Sequence, residues 1–245
     1  MKWSIRMTSS ALLIAMILVS TSTASAGLIA SWTFETSPPA VVNNSSTYPN
    51  PIPANLGSGN ASGVHASANT DWSTPAGNGS ATSFSSNNWS IGDYYQFQVS
   101  SLGMENLAFS WDQTRSATGP ASFSLQYSTD GTSFTNFFAY TVPDIAVGGW
   151  RHFTQSFSAI SALNNDSSVF FRLTATSAPS NVAAGTNRID NISISAVPEP
   201  STFLLGLVGM SVFGVRQWRR RISVPQGRNP APVVLASCQY SCDKA

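Results

Sequence analysis

The chain has 245 residues, of which 42% are hydrophobic and only 9% charged, against about 25% in an average soluble domain, and this excludes a highly charged disordered chain. Two cysteines exclude a disulfide scaffold, and 17 glycines without a three-residue period exclude collagen. The formal net charge of +1 hides an asymmetry: between positions 27 and 196, nine acidic residues face four arginines and no lysine, a net of −5.

The first 26 residues run from a basic start (Lys2, Arg6) through an apolar stretch at 11–19 to the small residues Ala24, Ser25 and Ala26. That order predicts a secretory signal peptide, with Ala24 and Ala26 as the small-residue recognition pattern and the cut before Gly27. The alternative is an uncleaved anchor, which the shortness of the apolar run disfavours. Such a leader hands the chain to the general secretion machinery and across the inner membrane.

From 28 to 196 the hydrophobic pattern has period two. It predicts strands at 28–35, 94–99, 107–115, 122–128, 134–142, 150–157, 169–176 and 188–196, with alternation clearest at Phe123, Leu125 and Tyr127, at Val169, Phe171 and Leu173, and at Ile192 and Ile194. Ser128, Thr129, Asp130 and Gly131 supply hairpin chemistry into Phe134. Residues 36–90 differ, with five prolines by position 53 followed by Gly, Ser and Asn, and read as a long loop with short strands near 62–66 and 81–85. Many short strands separated by turn residues predict an all-β fold, an antiparallel jelly-roll-like β-sandwich over 27–196.

Catalytic chemistry is sparse in this body. Its two histidines, His65 and His152, are not in metal-ligand spacing, there is no cysteine, and no G-x-S-x-G elbow marks a serine. Asp112 could pair with Glu105 or with Asp190 for glycoside hydrolysis, but the sequence does not place either pair in one cleft. A non-enzymatic protein without a cofactor is the expectation. Aromatic residues offer sugar-stacking surfaces, and Trp72 and Trp89, set among polar neighbours, are the candidate glycan contacts, with core filling as the alternative. Trp111 reads as core. Nucleic acid is disfavoured as a partner, since a lysine-free body at −5 cannot neutralise phosphates.

The C-terminal segment from Val197 reads VPEPSTFLLGLVGMSVFGVRQWRRR. Pro198 and Pro200 are expected to break the preceding strand, and a short transmembrane helix follows at 201–215. At roughly 1.5 Å per residue that helix spans about 22 Å against a hydrocarbon core of about 30 Å. Arg216, Arg219, Arg220 and Arg221 form the membrane stop signal, retained on the cytoplasmic side. Residues 222–245 lack helical periodicity and read as a disordered tail, either a cytoplasmic extension or a read-through end. The C-x-x-x-C of Cys238 and Cys242 in that tail has no histidine nearby and does not complete a zinc site.

Pro198, Glu199 and Pro200, followed by the apolar stretch and the arginine cluster, resemble the PEP-CTERM sorting signal of exported bacterial proteins. The same tail pattern also carries an ice-binding label, from which no ice-binding activity follows. The resemblance implies an exosortase-type membrane protease as partner, transient anchoring, and delivery to the cell surface or extracellular matrix of a Gram-negative-type bacterium. The stretches FSLQYSTDGTSF and GTNRIDNISI resemble the jelly-roll domains often found in such proteins and in lectin-like modules. In related sandwiches the positions of Glu35 and Asp190 supply ligands to a structural calcium; the alternative for Asp190 is a bond to its own turn or a pair with Arg188. A structural or adhesive role in an exopolysaccharide matrix is the leading expectation, a carbohydrate-binding lectin-like module the second, and a secreted hydrolase the third.

Overall fold

Period-two segments bury one face each, and in the computed structural model, which describes residues 25–199, they pair into two antiparallel sheets. Ala24, Pro200, the expected helix at 201–215, the four arginines, both cysteines and 222–245 lie outside the described residues. No helix among the described residues is long and apolar enough to cross a membrane.

The first half of the domain contributes β1 (Gly27–Trp32), β2 (Ile52–Pro53), β3 (Leu56–Gly57), β4 (Gly59–Val64), β5 (Trp72–Ser73) and β6 (Phe84–Ser86). The second half contributes β7 (Tyr94–Val99), β8 (Met104–Arg115), β9 (Ser122–Ser128), β10 (Thr135–Thr141), β11 (Arg151–Ser156), β12 (Val169–Ala175) and β13 (Asn187–Pro198). Sheet A has the order β11-β8-β13-β1-β3, with β6 on the far end of β13 and β5 on β6; sheet B has the order β10-β9-β12-β7-β4-β2. The chain passes between sheets at nearly every connection, as in a jelly roll.

The two inner faces meet in an aromatic core. Leu107, Phe109 and Trp111 of β8 alternate inward, as do Ile192 and Ile194 of β13, against Tyr95 and Phe97 of β7, Leu125 of β9, and Phe171 and Leu173 of β12. Phe109 packs against Phe97 at 5.5 Å, Trp111 at 5.3 Å and Phe171 at 5.2 Å between ring centroids. Each such buried side chain contributes about 1.5–3 kcal/mol, which is how a domain without cysteine holds together. Gly131 closes the β9–β10 hairpin at φ +71°, and Asp130 accepts the N–H groups of Thr132 and Ser133, which hold its carboxyl well below the usual range.

Two expectations need correction. Residues 36–90 are not a long loop: the short strands expected near 62–66 and 81–85 are present as β4 and β6, β2, β3 and β5 join them, and the segment folds into the core through Tyr48, Ile52, Trp72, Phe84 and Trp89. Pro198 does not break the last strand but is its final residue, opposite Met104 of β8. The N–H of Glu199 bonds Gly103 O on the β8 side at 2.9 Å, so the nitrogen of Pro198 faces the other way, where β1 has already ended opposite Ala196. A missing donor costs nothing on that open side.

The same aromatic core extends around His65, buried between Trp72 at 4.8 Å and Trp89 at 4.3 Å. Burial holds the His65 imidazole down at about 4. An unfolded histidine titrates near 6.5, so the stability due to this group is complete above that pH and is lost as pH falls toward 4, by about 3 kcal/mol. Asp93 and Asp190, both raised by burial, act with the opposite sign, gaining stability as they protonate. Urea unfolding is expected to show a lower midpoint at pH 4.5 than at pH 7, and His65→Gln, though less stable throughout, is expected to remove most of that difference.

Candidate functional site

Three polar constellations stand out, and access separates them. The first surrounds His65. Asp93 Oδ2 lies 3.3 Å from its Nδ1, and Ser86 Oγ lies 3.2 Å from its Nε2. Ser86 also meets the Tyr95 hydroxyl, which donates to Asn187 O at 2.8 Å. The residue types and order are those of a Ser-His-Asp triad, but all three are buried, so no substrate reaches the serine. Asp93 is further held by the N–H groups of Ala66 and Ser90. This string is structural.

The second lies on the outer face of sheet A. Asp112 of β8 and Asp190 of β13 are register partners, and the bulge after Asp190, with Asn191 at φ +49°, turns the neighbouring backbone onto the same side. Asp190 Oδ2 accepts from Asn78 N at 2.8 Å and Ser80 Oγ at 2.7 Å, and its Oδ1 accepts from Asn191 N at 2.8 Å. Asp112 Oδ2 accepts from the side-chain amides of Asn78 and Asn191, and its Oδ1 lies 2.7 Å from His152 Nδ1. Burial, with the nearby Asp112 charge as a lesser cause, raises the Asp190 carboxyl against those hydrogen bonds.

The sequence-level carboxylate pair of Asp112 and Asp190 therefore exists, but the loop at 75–82 roofs it and its oxygens are taken by protein donors. Glu105 stands seven residues down β8, opposite Val197, and does not belong to it. His152 is 61% exposed at the rim, a strand histidine oriented by Asp112. Glu35, exposed, accepts from Thr82 N and Thr82 Oγ1 at 2.8 Å, which lowers its pKa. Glu35 and Asp190 thus grip the same loop from two points, Glu35 at Thr82 and Asp190 at Asn78 and Ser80. Their bound oxygens already face N–H and O–H donors, so these residues do not fit a cation. No group of three metal-ligating side chains occurs among the described residues.

A side chain at Gly77 would stand 2.2–2.3 Å from Asp190 Oδ2, Ser80 Oγ and Thr82 O. Gly77→Ala is therefore expected to push the roof off the carboxylates and lower stability by about 1–3 kcal/mol, read by thermal melting.

The third constellation is open to solvent on the outer face of sheet B. Arg172 of β12 stands in register between Gln96 of β7 and Gln126 of β9, and Gln126 faces Asn136 of β10, so one row crosses four strands. The Arg172 guanidinium lies 3.7 Å from the centroid of Tyr94 and 3.5 Å from that of Phe134, sandwiched between two rings. Its Nε donates to Gln96 Oε1 at 2.8 Å, and its four Nη–H donors have no protein acceptor among the described residues. Partial burial lowers its pKa, and the guanidinium remains charged. The Gln126 amide accepts from Thr174 Oγ1 at 2.9 Å and donates to Asn136 Oδ1 at 2.8 Å.

At one edge of this face, Asn60, Gln98, Ser58, Ser100 and Ser167 line a shallow polar groove of about 160 Å³. Fixed amides, hydroxyls, a pinned cation and half-buried rings are the chemistry that recognises polyhydroxylated ligands.

Trp72 and Trp89, the glycan contacts expected from the sequence, are 0% and 1% exposed. Their indole N–H groups bond Ser45 O and Ser86 O inside the fold, so they cannot stack on a sugar and that expectation fails. Trp111 is buried as expected. Trp72→Ala is expected to cost about 3–5 kcal/mol of stability, measured by denaturant unfolding.

Residues 196–221 match the PEP-CTERM protein-sorting motif. No curated protein matches the chain. Among solved structures, the CBM22-1 xylan-binding domain of Paenibacillus barcinonensis Xyn10C is 13% identical, covering 71% of this chain and 97% of its own, at a TM-score of 0.44. The K1 cleaved adhesin domain of Lys-gingipain from Porphyromonas gingivalis W83 is 16% identical, covering 69% and 97%, at a TM-score of 0.38. Likeness at that level transfers no activity. The sorting motif marks an exported protein that is anchored in the membrane before its tail is processed.

Proposed function

We propose that this chain is a non-enzymatic surface or matrix protein that binds extracellular polysaccharide on the outer face of sheet B. The observation that carries the reading is Arg172: a guanidinium fixed between two rings, with unused donors at the surface, beside a row of oriented amides. A guanidinium binds carboxylates through two parallel hydrogen bonds, so sugars bearing uronate groups are the preferred ligands, with the amides of Gln96, Gln126 and Asn136 addressing hydroxyls. The rigid network lowers the ordering cost of binding, because the side chains are already held by each other. The sorting motif supports the location, a surface or matrix rich in polysaccharide. An exosortase-type protease and the general secretion machinery are its delivery partners in this reading.

Two measurements test it. On a glycan array that includes uronate-rich polymers, Arg172→Ala is expected to weaken binding at least tenfold and Gln126→Ala to weaken it less. Unchanged binding after Arg172→Ala, or no binding across the array, would sink the proposal. Replacing Pro198, Glu199 and Pro200 together is expected to leave the protein full length in the membrane fraction, and processing identical to wild type would defeat the sorting assignment.

A further inference from the structure

The sorting motif does not begin on a free linker. Its first residue, Ala196, is fully buried and pairs with Gly27 of β1, Val197 pairs with Glu105 of β8, and Pro198 pairs with Met104. Pro198 and Pro200 have no backbone N–H, so Glu199 carries the tripeptide's single backbone donor, and that donor is held by Gly103 O at 2.9 Å.

The receiving turn is firmly built. Gly103 sits at φ +70°, its own N–H donates to Asn165 Oδ1 at 2.9 Å, and Met104 N bonds Ser101 O at 2.9 Å. Ser101 Oγ in turn bonds Leu163 O at 2.7 Å. The strand end is the weaker partner. Among the described residues, β13 past Ala196 is paired on one side only, a register shift separates Ser195 from Val197, and Pro198 is exposed. A short, one-sided strand end is the kind of element that opens locally without global unfolding.

We propose that the folded sandwich restrains its own sorting signal, and that the processing protease must lift residues 197–199 out of sheet A, competing with Gly103 for the Glu199 N–H. Proteases and other peptide readers take extended segments through backbone hydrogen bonds, and here the one available N–H is already engaged. Processing is then gated by opening of the last rung of β13, while the turn at 100–104 stays in place. The proposal rests on the exosortase reading of the motif and concerns access to the substrate.

The test uses the full chain, in a Cys238→Ser, Cys242→Ser background, followed by pulse-chase in a host that carries an exosortase. Glu105→Cys with Val197→Cys, register partners across the last rung, forms a cross-link seen by mobility on a non-reducing gel. The locked chain is expected to be processed about tenfold more slowly or worse, with recovery on reduction. The pair Glu105→Ser and Val197→Ser, which cannot cross-link, is expected to be processed at least as fast as the parent. Asn165→Ala, which loosens the receiving turn, is expected to speed processing. Equal rates for locked and reduced chains would overturn the gate and mean that the tripeptide is read in place. A parent chain that stays full length gives a different result, the failure of the exosortase reading itself.

Discussion

Strands β8 and β13, twelve residues each, run antiparallel through the middle of sheet A, and their seam fixes the features that matter at both ends of the domain. Inward, it presents Phe109, Trp111, Ile192 and Ile194 to the core, which is where an exported chain without cysteine in its body finds its stability. Outward, it sets Asp112 beside Asp190 at one end and holds Val197 and Pro198 at the other. Two bulges adjust the register between these ends: one re-aims the backbone at Asn191, and the other precedes the sorting tripeptide. The same ladder therefore governs the roofed carboxylates and the tethered start of the tail.

Catalytic residue types occur twice in this domain without an accessible site. Around His65 the trio of Asp93, His65 and Ser86 lies at near hydrogen-bonding distances, yet aromatic rings fill the space a substrate would need. Around Asp190 two carboxylates are adjacent, yet Asn78, Ser80 and Asn191 occupy their oxygens. In both places a buried polar group has been satisfied by neighbours, as burial demands. The outer face of sheet B reverses that pattern. There the amides and the guanidinium are oriented by one another while donors are left toward solvent, an arrangement suited to binding a ligand.

The strands of the second half were legible because each is long enough to show its period: 94–99 and 122–128 match β7 and β9 at both ends. Within 36–90 the short strands near 62–66 and 81–85 were legible and correspond to β4 and β6, but β2, β3 and β5 were not, because they are two residues each and two residues carry no period. Trp72 and Trp89 were misread for the same reason. Their polar neighbours suggested a loop, while the pairing of β5 with β6 and the packing on His65 put both indoles inside. Pro198 was misjudged because the rule against proline in sheets applies where both sides are paired, and here one side is open. The Arg172 face was missed, although a signal existed: an arginine at an outward position of an alternating strand, in a body with only four arginines. Sequence alone could not supply the register that brings Gln96, Gln126 and the two rings beside it.

Gly27 and Ala196 are register partners in adjacent strands, so the point where the predicted leader ends and the point where the sorting motif begins lie side by side at one end of sheet A. The start of the sorting motif therefore lies in sheet A, and Arg172 in sheet B. A low-charge surface suffices for the proposed binding. In the proposed reading recognition depends on a few oriented donors and one pinned guanidinium, and the body as a whole, at −5 and without lysine, contributes little nonspecific attraction for acidic polymers. In that reading selectivity rests on the geometry of a single row of side chains.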